Sequence, residues 1–319
     1  MINILFIGLG SIAARHIKNL KSIRNDIRIS VFRSGKGQCA KDGILNLVER
    51  VCTMIEELDD YYDAIFITNP TSLHYETISK FYNRSNAFFV EKPVFLTGEE
   101  DISRFDQKRK NIYVACPLRH SNVIQWLKAN IDFGTVHSIR VISSSYLPDW
   151  RPGADYRNTY SAHLAMGGGV SVDLIHEWDY IYYLVGLPLC VQCLIKKKSD
   201  LEIESDDIAV YIAEYSDKLV EVHLDYFGRK TIRRIELFAQ EDTIIADLIR
   251  QRIRWMCAGK ELDLFEERDS YQKKELRHFF DIVSGKAVND NTIEDACRVL
   301  RIARSGNGHI IYDLRASWL

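Results

Sequence analysis

The N-terminal run "INILFIGLGSIAARH" constrains the fold more than any other stretch of the chain. An apolar segment opens onto Gly8-x-Gly10-x-x-Ala13, and a helical pattern follows at once, from about Ile12 to Ile23. The first glycine permits a tight turn, the second lets backbone approach a pyrophosphate, and the small third residue lets helix and strand pack closely. A helix starting there presents the N–H groups of Ser11, Ile12 and Ala13, with a partial positive charge, to phosphates. Alone, this spacing is an ordinary glycine turn. Set between a strand and a helix, it predicts a dinucleotide cradle.

The pattern then repeats. "IRISVF", "YDAIFITNP", "NAFFVEKP" and "NIYVACP" are short apolar runs separated by helical ones. Strands of that kind are buried on both faces, so residues 1–118 are expected to form a doubly wound parallel α/β sheet, a Rossmann domain. After about Arg119 the pattern changes. A helix near Asn122–Asn130 leads into "VHSIRVISSSYL"; then "DDIAVYIAEYS", "KLVEVHLDYFG", "TIRRIELFAQ", "DTIIADLI" and "QRIRWMCAG" follow without helices between them. Ser-Asp-Lys and Gly-Arg-Lys read as hairpin connections. Residues 119–319 are therefore expected to form an α+β domain with a mainly antiparallel open sheet, closed by helices near Tyr271–Ser284 and Thr292–Arg304.

Composition narrows the function. A chain of 319 residues suits two domains. Apolar residues at 46% and charged residues at 27% are the balance of a soluble globular protein. A formal net charge of −2 gives no reason to expect nucleic acid or anionic lipid. No apolar run reaches the roughly 18–20 residues that cross a bilayer. The N-terminus lacks the basic region of a signal peptide, and its apolar run ends in structurally useful glycines, so a cytoplasmic protein is expected. Seven cysteines at irregular spacing suit reduced thiols. Cys190 and Cys193 form a C-x-x-C, but residues three apart on a strand point to opposite faces, so two small packed side chains are expected and no metal site.

Three stretches carry candidate chemistry. "VFRSGKG" ends the second strand with Arg33, Ser34 and Lys36, where NAD-preferring sites place an acid. A guanidinium and a hydroxyl suit a 2′-phosphate, so NADP is favoured over NAD, against a plain solvated basic loop. "FFVEKPV" brings Lys92 to the C-terminal end of a strand, where ligands of doubly wound sheets bind, and Pro93 fixes the turn. "GGGVSVDLIHEWDYIYYLVG" sets Leu174, Ile175, Trp178, Ile181, Tyr182 and Val185 on one side of a helix and Asp173, His176, Glu177 and Tyr180 on the other. Asp173 and His176, three apart, are expected as neighbours, a carboxylate beside an imidazole suited to proton transfer.

Taken in order, Gly8-x-Gly10-x-x-Ala13, Thr68-Asn69-Pro70-Thr71-x-x-His74, Glu91-Lys92-Pro93 and a glycine-rich run before Asp173-x-x-His176 resemble the glucose–fructose oxidoreductase/inositol dehydrogenase (Gfo/Idh/MocA) family. The resemblance covers the whole chain. It implies an NAD(P)-dependent oxidoreductase acting on sugars, cyclitols or nucleotide-linked sugars. It sets Lys92 by the nicotinamide and substrate, and Asp173 and His176 at the reacting hydroxyl, with the histidine as acid or base. Asn69, Pro70 and His74 match the loop along the cofactor's ribose and nicotinamide, and Glu91 and Lys92 complete the expected cofactor contacts. In some relatives the Lys–Pro bond is cis, so Lys92–Pro93 is a candidate for the same. Relatives often form homodimers or homotetramers through the open sheet. Many members have Asn two residues before an Arg where this chain has Pro117 before Arg119; Arg119 is expected at the substrate.

The polar segment from Tyr146 to His163 leads to the catalytic stretch and offers Tyr146, Asp149, Trp150, Arg151, Tyr156, Arg157 and Tyr160 for stacking on a sugar or holding a phosphate or carboxylate. Similar segments in family members linked to surface-polysaccharide pathways hint at that substrate class. Two other functions fit the same motifs: a nucleotide or sugar sensor without catalysis, and a redox-neutral glycosidase that oxidises and re-reduces one sugar on a tightly held cofactor.

Overall fold

The computed structural model describes residues 1–35, 43–106, 108–305 and the backbone of 309–311, so the expected cofactor residue Lys36 lies outside the described residues. The elements up to residue 114 are β1 (Ile2–Ile7), α1 (Ser11–Ile23), β2 (Ile27–Phe32), β3 (Arg50–Cys52), β4 (Ala64–Ile67), α2 (His74–Phe81), β5 (Ala87–Val90) and β6 (Asn111–Val114). There follow α3 (Asn122–Asn130), β7 (Val136–Tyr146), α4 (Val170–Asp173), α5 (His176–Val185), β8 (Cys190–Lys196), β9 (Ile208–Glu214), β10 (Leu219–Asp225) and β11 (Phe227–Ala239). The last are β12 (Thr243–Asp247), β13 (Arg252–Trp255), β14 (Lys260–Asp263), α6 (Ser270–Val283), α7 (Ile293–Ala303) and β15 (His309–Ile311).

The chain divides into two units. The first joins Met1–Pro117 to Arg268–Arg298, and the second holds Leu118–Glu267 with the residues from Val299 on. This corrects the expected second domain of residues 119–319, because 268–298 returns to the first unit. The physical reason is the apolar side of α6. Phe279 sets its ring edge-on to Phe66 at 5.6 Å and Phe89 at 5.4 Å, and Leu276, Phe279 and Phe280 share one core with Ile4 and Phe6 of β1 and Ala13, Ile17 and Leu20 of α1.

The first unit is the expected doubly wound sheet, six strands in the order β3-β2-β1-β4-β5-β6, all parallel. The apolar runs make it so: β4 and β5 are buried at every residue, as strands covered on both faces must be. β2 and β4 lie on either side of β1, so the order reverses at the C-terminal ends of β1 and β4, where such sheets bind ligands. Gly8 and Thr68 stand at those two ends.

The second unit is built on a nine-stranded sheet, β14-β13-β12-β11-β7-β10-β9-β8-β15, antiparallel throughout except for the parallel pair β7–β10. Residues alternate across it. Val141, Tyr211, Val222 and Leu237 are buried on one face, where Trp178 of α5 meets Tyr211 edge-on at 5.3 Å; Arg140, Ile212 and Glu221 stand on the other. Ser-Asp-Lys does form the β9–β10 hairpin, closed by Tyr215 N–H donating to Lys218 O at 2.9 Å. Gly-Arg-Lys does not form one. Gly228 lies inside β11, and β7 separates β10 from β11. The chain crosses over at Asp225, whose carboxylate accepts from Phe227 N (3.1 Å), Gly228 N (2.8 Å) and Ser144 Oγ (2.9 Å). A Cβ on Gly228 would stand 1.8 Å from Ser144 Oγ, so this glycine serves close approach and not a turn.

Cys193 faces inward, its thiol against Ser305 O at 2.9 Å, while Cys190 alternates to the other side of β8. Among the described residues no cluster of three His, Cys, Asp or Glu side chains could hold a metal ion, and no helix is long and apolar enough to cross a membrane.

Candidate active site

In the first unit the cradle is built from backbone. Gly8 has φ +96°, and a Cβ there would lie 3.0 Å from both Asn69 N and Thr68 O. Glycine is required for the conformation and for the approach of β1 to the loop after β4. Gly10 caps α1 in an extended conformation without a side-chain cap, and a Cβ there would meet nothing within 4 Å. The open space stands directly over the first-turn N–H groups of Ser11, Ile12 and Ala13, which is what a pyrophosphate needs. Thr68 Oγ1 donates to Ile7 O at 2.9 Å, tying the ends of β4 and β1 together. Asn69 Nδ2 donates to Thr77 Oγ1 at 2.8 Å, and its buried Oδ1 has no partner in the described residues, an acceptor that a ligand hydroxyl would satisfy. These residues fit a bound dinucleotide. Pro70 is exposed and starts the turn into α2. Arg33 is half-buried, with its N–H on Cys52 O at 3.1 Å, and Ser34 is exposed beside it.

His74 needs a correction. It is 1% exposed, with Nδ1 3.1 Å from Val94 O and Nε2 3.0 Å from Asn69 O, so it braces two loops and cannot reach a cofactor. Burial holds its imidazole below the usual histidine range, against the pull of both carbonyls. Glu91 is likewise turned inward. Its Oε1 lies 2.5 Å from Nε2 of His16, a buried residue of α1 whose ring meets Phe89 edge-on at 5.1 Å. Burial opposes ionisation of Glu91, yet the His16 hydrogen bond and the charges of His16 and Lys92 hold its carboxyl below the usual range. Glu91 is thus anchored through Oε1 to α1. Lys92 follows it, half-buried, and the Lys92–Pro93 bond is cis. His74 and His16 grip the residues on either side of that bond, Val94 and Glu91.

In the second unit the helix expected after Gly167, Gly168 and Gly169 is broken. α4 ends at Asp173, α5 begins at His176, and Leu174 and Ile175 turn between them. Asp173 and His176 therefore end and begin consecutive helices. The polar side is no solvated face: Asp173, Glu177, Asp179 and Tyr180 are all buried, and His176 is half-buried. The glycines set where α4 begins. A Cβ on Gly168 would fall 2.1 Å from Tyr160 O, and one on Gly169, at φ +126°, 2.2 Å from Asp206 Oδ1. Asp206 then accepts from Ser171 N at 2.9 Å and its own carbonyl from Val170 N at 3.0 Å, which fixes the start of α4.

Asp173 is the centre of this half. Tyr226 donates to its Oδ2 at 2.6 Å, and the Tyr160 hydroxyl bonds the same carboxylate. Burial, with the adjacent Asp173 charge, pushes both phenols far above the ordinary tyrosine value, so both stay protonated and donating. Trp150 stacks edge-on to Tyr226 at 5.2 Å and donates from Nε1 to Ser145 Oγ at 2.9 Å. Arg151 lies over the Tyr160 ring at 5.7 Å.

Arg119 is also corrected. It is 1% exposed, and its Nε and Nη2 pair with Asp179 Oδ2 and Oδ1 at 2.8 and 2.6 Å, joining the start of α3 to α5. A polar partner inside its own unit takes the guanidinium that was expected at substrate. Arg157 is at the surface, paired with Asp155 (2.9 Å) and Glu202 (2.9 Å), which raise its pKa further. Asp149 is exposed. Tyr146 and Tyr156 line a cavity away from Asp173's hydrogen-bond partners. His16 and Tyr226 were not singled out in the sequence. A lone histidine on the apolar stripe of α1 was a signal for the first; nothing local marks the second, which the sheet brings in from 53 residues further along.

The first unit thus has the doubly wound fold and glycine cradle of a dinucleotide-binding domain. Residues 2–113 match the oxidoreductase family with the NAD-binding Rossmann fold. The chain is 24% identical to the uncharacterized oxidoreductase YrbE of Bacillus subtilis, over 98% of this chain and 95% of that protein. It is 26% identical to scyllo-inositol 2-dehydrogenase (NAD+) of Bacillus subtilis, over 56% of this chain and 53% of that one. It shares its fold with UDP-N-acetylglucosamine 3-dehydrogenase from Acidithiobacillus ferrooxidans, with a TM-score of 0.77, 18% identity and 95% of each chain covered.

Proposed function

We propose that the chain is an NAD(P)-dependent dehydrogenase or reductase working on a secondary alcohol carbon of a sugar or nucleotide sugar. The observation that carries it is the buried Asp173 carboxylate, fixed by two phenol donors three residues before His176. A carboxylate held in that way keeps its orientation, and can accept a third hydrogen bond from a substrate hydroxyl. The bound dinucleotide supplies or accepts the hydride at its nicotinamide.

The protein's own groups do the rest. Gly8, Gly10 and the first turn of α1 hold the pyrophosphate. Arg33 and Ser34 favour NADP over NAD, since a guanidinium and a hydroxyl suit the 2′-phosphate. Asp173 orients the hydroxyl, and His176 takes or returns its proton, with Lys92 as electrostatic partner and relay. His16 and Glu91 on one side of Lys92, and His74 on the other, fix the direction from which it acts. The names of the relatives support a polyol substrate: one acts on scyllo-inositol and another on a UDP-linked amino sugar.

The test is reduction of NADP and NAD by a panel of sugars, cyclitols and nucleotide sugars, followed by nicotinamide absorbance. Net reduction with at least one polyol is expected, with NADP preferred. Tight cofactor binding with no reduction by any of them identifies a sensor. Sugar turnover without net reduced cofactor identifies redox-neutral chemistry.

A further inference from the structure

A cavity lies in the nine-stranded unit. It has a volume of about 380 Å³, within the range of roughly 300–1,000 Å³ usual for small-molecule sites. The rings of Tyr146, Tyr156 and Phe227 form its walls, and Lys198 and Arg229 bring positive charge to it. Arg229 lies over the Tyr146 ring with its guanidinium carbon 3.9 Å from the centroid, which fixes the plane of its donors. Among the described residues neither cation is joined to a carboxylate. Asp200 and Ser199 complete the polar lining, so the two cations face a single acid.

The walls are preorganised. The fully buried Asp207 accepts from Lys198 N at 2.6 Å and from Ser199 N at 2.8 Å, which fixes the loop that carries the lysine. The Tyr156 hydroxyl accepts from Glu202 N at 3.2 Å. In the sequence Phe227 follows Tyr226, and Tyr156 is four residues before Tyr160; neither of the two phenols that hold Asp173 lines the cavity itself.

We infer that this cavity binds the anionic, ring-bearing half of the substrate, with the rings stacking on a planar or pyranose face while Lys198 and Arg229 hold a phosphate or carboxylate. Calling the ligand a substrate rests on the oxidoreductase reading; the binding itself does not. The two cations supply charge-assisted hydrogen bonds, Arg229 in a bidentate fork and Lys198 as a point charge.

The experiment is calorimetric titration of the full chain with NADPH saturating, so that the dinucleotide cradle is filled. The probes are UDP, uridine, glucuronate and glucose. UDP or glucuronate is expected to bind at least about tenfold more tightly than its uncharged counterpart, and to weaken with added salt. The Lys198→Gln/Arg229→Gln double variant is expected to lose on the order of tenfold in that affinity with NADPH binding unchanged. UDP against glucuronate separates phosphate from carboxylate. Equal binding of charged and uncharged probes, no binding of any, or an unaffected double variant overturns the proposal. Sugar oxidation is read separately. Anion binding that the double variant loses, in a protein that oxidises no polyol, leaves the cavity assignment standing and removes the oxidoreductase reading instead.

Discussion

At the scale of single residues, the proposal divides contact from support. Lys92→Ala and His176→Ala are expected to lower kcat by roughly 10²- to 10⁴-fold, the usual worth of a general acid or base. Dinucleotide affinity should be nearly unchanged. If the two groups act on one proton, the double variant will cost little more than the worse single one, and full additivity would assign them to separate steps. Tyr226→Phe keeps the ring against Trp150 but removes one donor from Asp173, so kcat should fall with KM for the dinucleotide unmoved. His74 gives a pH signature. Its folded pKa is depressed by burial, so the stability it contributes is complete above the unfolded value of about 6.5 and is lost as pH falls toward the lower folded value. Thermal melts of the wild type should fall on acidification below roughly pH 6.5, and His74→Gln should flatten that slope. A variant with the wild-type slope would show that another group governs it.

At the scale of elements, glycines mark where backbones meet. Gly228→Ala sets a methyl against Ser144 Oγ within the β7–β11 pair and should cost about 1–3 kcal/mol in a denaturant titration. Ser144→Ala on the same chain should recover part of the loss, because the blocking atom is then gone; no recovery would locate the strain elsewhere. The same position shows where sequence patterns stop being informative. Gly-Arg-Lys has the composition of a hairpin turn, but the Asp225 carboxylate collects Phe227, Gly228 and Ser144 and turns the chain past β7. α1, α3 and the parallel strands were legible because periodicity and a glycine turn are local properties. Arg119, His74 and Glu91 were legible as important residues but not as buried ones. Their partners, Asp179, Val94 and His16, sit on other elements, and only folding decides which of two polar groups meet each other and which meet solvent.

At the scale of the whole molecule, the nine-stranded sheet leaves one face without cover among the described residues. Leu194, Ile212 and Leu219 are exposed there by 63%, 49% and 50%, more apolar surface than a free strand face usually carries. A homodimer or homotetramer through this face is expected, and light scattering on the Leu194→Asp/Ile212→Asp variant should show a smaller mass than the wild type. A wild-type monomer would reject that arrangement. The return of residues 268–298 to the first unit has a separate consequence for biosynthesis. On the ribosome, the cradle strands and glycines emerge first, yet the aromatic patch of Phe66 and Phe89 stays bare until the α6 segment leaves the exit tunnel. The core of the first unit is thus expected to close only once α6 is made, and a stop codon shortly before residue 268 should yield a product that chaperones retain.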